Sequence, residues 1–276
     1  MPLHLPVMTH QLARRIQQLL EDEQLDGMLH LQEQTNSPFD VQIERFGKVT
    51  AYLAATTVEA GWWNRVNGFQ EEDIVHLDDI LAFYRIHQQR FYIDMEPSTL
   101  TEALSRALIA RGLYPIVGGT ILYGLPQLEE MSPPQGVTIR KIGPEEIQLF
   151  IQLWADGFEF PANDNRNTIM AIRSAIFSVP SNGRYIAYVD GIPAAMAGLY
   201  IREGLALLSG GATLPAFRKR GCHTALTQRR LSDAAKAGCE LVIGHTGTFA
   251  SISQNNMERA GLRIAYQMIS WVGETE

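Results

Sequence analysis

Two stretches of this chain close in the same way, and that repetition limits the fold more than any single motif does. STLTEALSRALIARG runs into LYPIVGGTILYG (98–124), and SQNNMERAG runs into LRIAYQMISWVG (253–273). Each reads as a helix, a glycine cap at Gly112 or Gly261, and then a strand. A helix and a short apolar strand precede both: DDILAFYRIHQQ with RFYIDM in one case, ALTQRRLSDAAKAG with CELVIGH in the other. The two glycines lie 149 positions apart (261 − 112). Four elements in one order at one spacing imply a tandem duplication. A chain of 276 residues, 46% of them hydrophobic, has room for two domains with a core each. The segment QLEEMSPPQG (127–136), acidic and then broken by Pro133, Pro134 and Gly136, is the expected linker, giving domains 1–130 and 131–276.

The second half reads most clearly. VTIRKI is a strand, and GPEEIQLFIQLWADGF is a helix with Pro144 in its first turn. RNTIMAIRSAIFS is a second helix, closed by PSNG. RYIAYVDGIPAAMAGLYIREGLALLSGGAT gives three strands joined by tight turns at 190–191 and 202–204. With the closing elements the order is β-α-α-β-β-β-α-β-α-β. The expected class is α/β: a mixed, mostly antiparallel sheet flanked by helices, built twice.

Bulk chemistry excludes several functions. A net charge of −7 argues against broad nucleic-acid binding. Only Cys222 and Cys239 occur, so there is no disulfide framework and no metal-type CxxC pair, and a reducing cytoplasm without a metal site is expected. MPLHLPVMTHQLARRIQQLL leads into an amphipathic helix and lacks the form of a signal peptide. No stretch approaches the roughly 18 apolar residues that span a bilayer, so no membrane partner is expected.

Against that acidic background, TLPAFRKRGCHT (213–224) places Arg218, Lys219 and Arg220 between a strand and a helix. The first turn of a helix has N–H groups without intrahelical partners and a partial positive charge. A glycine just before it lets several N–H groups converge on one anion. Gly221 supplies that room, and Pro215 ends strand hydrogen bonding ahead of the curl. The arrangement suits a diphosphate. Neither GxxxxGK[ST] nor GxGxxG is present, so it is not a Walker loop or a dinucleotide fingerprint.

Arg218-Lys219-Arg220-Gly221-Cys222-His223 resembles the [R/Q]-x-x-G-x-[G/A] pyrophosphate loop of the GNAT N-acetyltransferase superfamily, departing from it at His223. Thr213, Leu214 and Pro215 are similar to the strand end that pairs with the pantetheine arm, and NNMERAGL matches the closing helix with Leu262 in place of Phe. The resemblance covers 137–272 in element order. It implies acetyl-CoA held by Thr213, Leu214, Arg218, Lys219, Arg220, Gly221, Cys222, His223 and Thr224, with Ser253 and Asn256 on the pantetheine or adenosine side. Cys222 is expected to turn into the core. The first half resembles a degenerate copy. It keeps R-x-x-G at Arg65 to Gly68, but Glu71, Glu72 and Asp73 occupy the helix start and repel a diphosphate.

The resemblance further implies direct transfer of acetyl to a small-molecule or protein amine. That reaction needs a free amine, a polarised carbonyl and a stabilised thiolate. A backbone N–H near Leu214 is the implied carbonyl donor. The usual leaving-group tyrosine is Met257 here. His245, ending CELVIGH, is the alternative base or acid, with a strand-end histidine bonding a carbonyl as its plain reading. Asp156 and Glu159, flanking Gly157 and Phe158, are expected to meet the acceptor amine or to be surface acids at a helix end. Two other functions stay open: a non-catalytic acyl-CoA sensor or scaffold, and a tandem acyl or aminoacyl transferase with another acceptor. A homodimer is admitted.

Overall fold

The computed structural model describes residues 4–33, 41–54, 63–128, 132–247 and 251–274, apart from the side chains of residues 164 and 165. The expected boundary at 130/131 lies outside these. By contacts the chain forms two compact units: Met8–Thr120 with Tyr266–Glu276, and Met1–Val7 with Ile121–Ala265. No helix among the described residues is long and apolar enough to cross a membrane.

The first unit begins with α1 (His10–Glu33), whose Ala13, Ile16, Leu19, Met28 and Leu31 recur at helical spacing and are buried. Thr9 Oγ1 accepts the Leu12 N–H at its start. The elements β1 (Val41–Phe46), β2 (Val49–Ala54), β3 (Arg65–Asn67), α2 (Leu77–Ile86), β4 (Phe91–Met95), α3 (Glu102–Ile109) and β5 (Tyr114–Gly124) follow. Strands β1 to β3 pair antiparallel, and β3 and β4 pair parallel, with Arg65 facing Tyr92. The chain's last strand, β12 (Arg263–Gly273), lies antiparallel beside β4, with Ile269 opposite Met95. Its Trp271 joins Val66, Leu77, Ile93 and Leu104 in this unit's core. Of the acids at the repeat's helix start, Asp73 accepts the Gln70 N–H and closes a capping box, and Glu71 accepts from the Thr101 hydroxyl.

In the second unit the order is β6 (Val137–Lys141), α4 (Ile147–Gly157), α5 (Asp164–Ser178), β7 (Asn182–Val189), β8 (Ile192–Arg202), β9 (Leu205–Leu208), β10 (Gly211–Thr213), α6 (Cys222–Lys236), β11 (Leu241–Thr246) and α7 (Ile252–Arg259). The strands run β5 (from Ile121 on), β11, β9, β8, β7, β6, with β10 also on β8. This is the mixed, helix-flanked sheet that the periodicities predict, with one more strand: LALLSGGAT is two strands, not one. Two of the four helices start at side-chain caps, Asn163 for α5 and Ser251 for α7.

Candidate functional site

The extra strand begins at a β-bulge. Leu207 faces Tyr200 across β8 and β9, and the same register would set Gly210 opposite Ala197. In β10 it is Gly211 that faces Ala197, so one residue is inserted at Gly210. Gly210 has φ +54°, and a Cβ there would sit 2.9 Å from Phe177 Cζ, so only glycine fits.

Arg230 secures the bulge from α6. It is 1% exposed, and its guanidinium donates to the carbonyls of Gly198 at 3.0 Å, Leu226 at 3.1 Å and Gly210 at 3.4 Å. Burial lowers its pKa to about 10, offset in part by Tyr185. Sequence reasoning missed this residue, because an arginine in TQRRL looks like a solvated helix face.

β11 pairs parallel with β9 only as far as Gly244 opposite Leu208. Past that point β10 follows β8, and no strand among the described residues pairs with its other edge. Leu214 N–H donates to Ala194 O at 2.9 Å. The N–H of Leu214 itself is therefore engaged within the sheet. Strand alternation turns the backbone groups of Thr213 and Gly211 the opposite way, to the side on which β11 lies. α4 closes tightly over β10, since a Cβ on Gly157 would lie 2.7 Å from Ala212 Cβ and 3.2 Å from Thr213 N.

The basic loop turns at two left-handed residues, Lys219 with φ 64° and Gly221 with φ 82°. α6 has no side-chain cap, and its first intrahelical bond is from Ala225 N to Gly221 O. The N–H groups of Cys222, His223 and Thr224 thus lack intrahelical acceptors. A Cβ on Gly221 would come within 2.6 Å of Pro134 Cγ. Two of the three cations are paired. Arg218 Nη2 bonds Glu159 Oε2 at 2.8 Å and Gly157 O at 3.1 Å, and Arg220 lies 3.4 Å from Asp190. Lys219 makes no ion pair among the described residues.

The sequence matches no known family profile and no curated protein. Solved structures do match. A GCN5-related N-acetyltransferase from Kribbella flavida aligns over 93% of this chain and 95% of its own, at 16% identity and TM-score 0.65. A tandem GNAT protein from the clavulanic acid biosynthesis pathway aligns over 95% of both chains, at 12% identity and TM-score 0.65. An acetyltransferase of the GNAT family from Novosphingobium aromaticivorans aligns over 85% of this chain and 92% of its own, at 18% identity and TM-score 0.54. This chain has the tandem GNAT fold.

Within that fold the residues expected at the loop fall into distinct groups. Arg218, Lys219, Arg220 and Gly221 form the turn, and Cys222, His223 and Thr224 form the first turn of α6. The Cys222 side chain is 1% exposed and sits in the core. Burial pushes its thiol up, against the lowering effects of its own N–H and of Arg220, so it is not a reactive thiolate. His223 is driven down to about 4 by burial and then by Arg230, so it is neutral at pH 7 and adds no charge to the loop. Its Nδ1 has no hydrogen-bond partner among the described residues. On α7, Asn256 Oδ1 accepts from Arg259, and among the described residues no hydrogen bond joins Ser253 or Asn256 to the loop.

The acceptor-side acids differ from each other. Asp156 is ion-paired with Arg166 and accepts from Gln152 at 2.8 Å. Partial burial pushes its carboxyl up, but those two donors outweigh it and hold the group below its ordinary range. Glu159 is turned by a positive φ of 57° onto Arg218. Beside them Trp154, Phe158 and Phe160 form an aromatic cluster, with Trp154 stacked on Phe160 at 4.9 Å. His245 is exposed at the end of β11, followed by Thr246, which is 5% exposed with its hydroxyl unpartnered among the described residues. Met257 is 4% exposed and packs on Gly244, where a Cβ would meet its Sδ at 2.5 Å. No proton donor occupies that position.

Proposed function

We propose that the second unit is an acyl-CoA-dependent N-acyltransferase that transfers acetyl from acetyl-CoA to an amine. The observation that carries this reading is the junction of an open strand edge with an uncapped helix start. The free edge of β10 leads through Lys219 and Gly221 into α6, whose first N–H groups have no cap. Such a turn suits a diphosphate, and the Thr213 and Gly211 backbone groups suit an extended amide-bearing arm. When bound, acetyl-CoA supplies an activated thioester.

In this reading Lys219 and the N–H groups of residues 222–224 hold the diphosphate, joined by Arg218 and Arg220 as their exposed ion pairs exchange. The Thr213 or Gly211 N–H polarises the thioester carbonyl. The neutral amine nitrogen forms the new C–N bond as the C–S bond breaks. His245 accepts the amine proton, and water protonates the departing thiolate. Asp156 and Glu159 line the acceptor side and attract its cationic form.

Calorimetric titration with acetyl-CoA tests the reading, with the double variant Arg218→Glu and Gly221→Asp as control. Binding by the wild type and its loss in the variant are expected. Absence of binding by the wild type would sink the proposal. The buried Met257 favours one rival, an acyl-CoA sensor without turnover. Assay of free CoA release across a panel of amines decides between them, since a sensor binds acetyl-CoA and releases none.

A further inference from the structure

The first unit holds a cavity with no part in the chemistry above. It has a volume of about 100 Å³ and lies under α1, at the carboxyl ends of the parallel strands β3 and β4. Its lining is rich in hydrogen-bond acceptors. Glu21 projects from α1 with Gln17 one turn earlier, and Asp94 and Glu96 stand at and just beyond the end of β4. Phe69 and Met95, 3% and 2% exposed, give the same cavity an apolar wall.

Each acceptor has spare capacity. Glu21 Oε1 takes the Gly68 N–H and the Gln17 amide, both at 3.2 Å, and neither bond uses Oε2. Burial raises its carboxyl against those two bonds. The carboxylate of Glu96, 1% exposed, accepts from the Ser98 backbone and hydroxyl and from no other group among the described residues. Asp94 is paired with Arg65 and bonded by Ser270. Gln17 is 9% exposed, lines the cavity, and its Oε1 has no partner among the described residues. The Tyr266 hydroxyl, close enough to Glu96 and Glu21 to feel both charges, is likewise buried and unpartnered among the described residues.

A buried acceptor without a donor costs on the order of 1–3 kcal/mol, so the set calls for a donor. Three carboxylates outnumber the two guanidiniums near them, Arg65 on Asp94 and the exposed Arg14 at the cavity's lining, and call for a further positive group. No group of His, Cys, Asp or Glu side chains among the described residues has the closeness that a metal ion needs. We propose that this cavity binds a small alkylammonium ion, its N–H groups on Gln17, Glu21 and Glu96 and its carbon chain against Phe69 and Met95. The first unit then carries an amine site of its own, apart from the acyl-transfer site.

Calorimetric titration of the full chain with n-butylammonium chloride tests this, against sodium chloride and tetraethylammonium chloride at equal ionic strength. Saturable binding is expected for n-butylammonium alone, because tetraethylammonium has no N–H to donate. Glu21→Gln and, separately, Gln17→Leu should each weaken it about tenfold or more, with folding checked by circular dichroism. Binding should persist in the Arg218→Glu and Gly221→Asp double variant, whose failure to bind acetyl-CoA concerns the other site only. Heats equal to those of sodium chloride overturn the proposal. So does unchanged affinity in whichever of the two variants folds, or loss of binding in the double variant.

Discussion

Arg218 Nη2 stands 2.8 Å from Glu159 Oε2, so a cation of the expected diphosphate loop is paired with a carboxylate of the expected acceptor side. The two residues are 59 positions apart, and both side chains are about half exposed. An anion arriving at the loop competes with Glu159 for the guanidinium.

Glu159→Gln therefore should tighten CoA binding a few-fold. An exposed pair contributes about 0–1 kcal/mol, so the unfolding midpoint should hardly move. Titration calorimetry at low and high salt checks this. Equal affinities for the two proteins at low salt would show that the pair does not compete.

The neutral His223 predicts a pH limb. Its folded pKa near 4 lies below its ordinary 6.5, so the unfolded chain binds more protons between these values. Stability should therefore rise with pH across that window and fall on acidification, by an amount on the order of 2 kcal/mol. His223→Ala should flatten this limb in urea titrations at pH 4 to 7. A limb of the same slope in the variant would assign it to other groups.

Arg230→Met keeps the bulk of the side chain but removes the guanidinium bonds to the carbonyls of Gly198, Gly210 and Leu226. Stability should fall by about 2–4 kcal/mol, and CoA affinity should fall with it as the bulge loosens. Urea denaturation and calorimetry on the same samples would separate the two effects. A variant as stable as the wild type contradicts the bracing role.

Proton transfer should be sensitive at one position and indifferent at another. His245→Ala should lower kcat about 10²-fold or more if it takes the amine proton. Met257→Leu, a volume-conserving change in the core, should leave kcat unaltered and cost less than about 1.5 kcal/mol of stability. Steady-state CoA release reads both. Full activity in His245→Ala removes that residue from the mechanism.

Much of this arrangement is legible in the chain. The helices announce themselves by apolar spacing and by caps such as Thr101 and Asn163, and Gly112 and Gly261 end theirs with positive φ. The loop from Arg218 to Gly221 is visible because its turn, charges and following helix are contiguous. What was not legible depends on partners distant in sequence. SGGA gives no local sign that Gly210 is an inserted residue, since a bulge is defined by its register against β8. Arg229 and Arg230 are adjacent, yet one pairs with Asp233 near the surface and the other enters the core. Whether Leu214 offers a free N–H depends on Ala194, which only the folded sheet brings near.

The last strand has a consequence for how the protein is made. Trp271 and Ile269 belong with the core of the unit that starts at Met8, and β12 supplies a neighbour that β4 otherwise lacks. During synthesis that first unit cannot finish its sheet as it emerges from the ribosome. It must wait, one strand short, until β12 has been made. Loss of β12 should therefore damage a unit most of whose residues precede it by more than 140 positions.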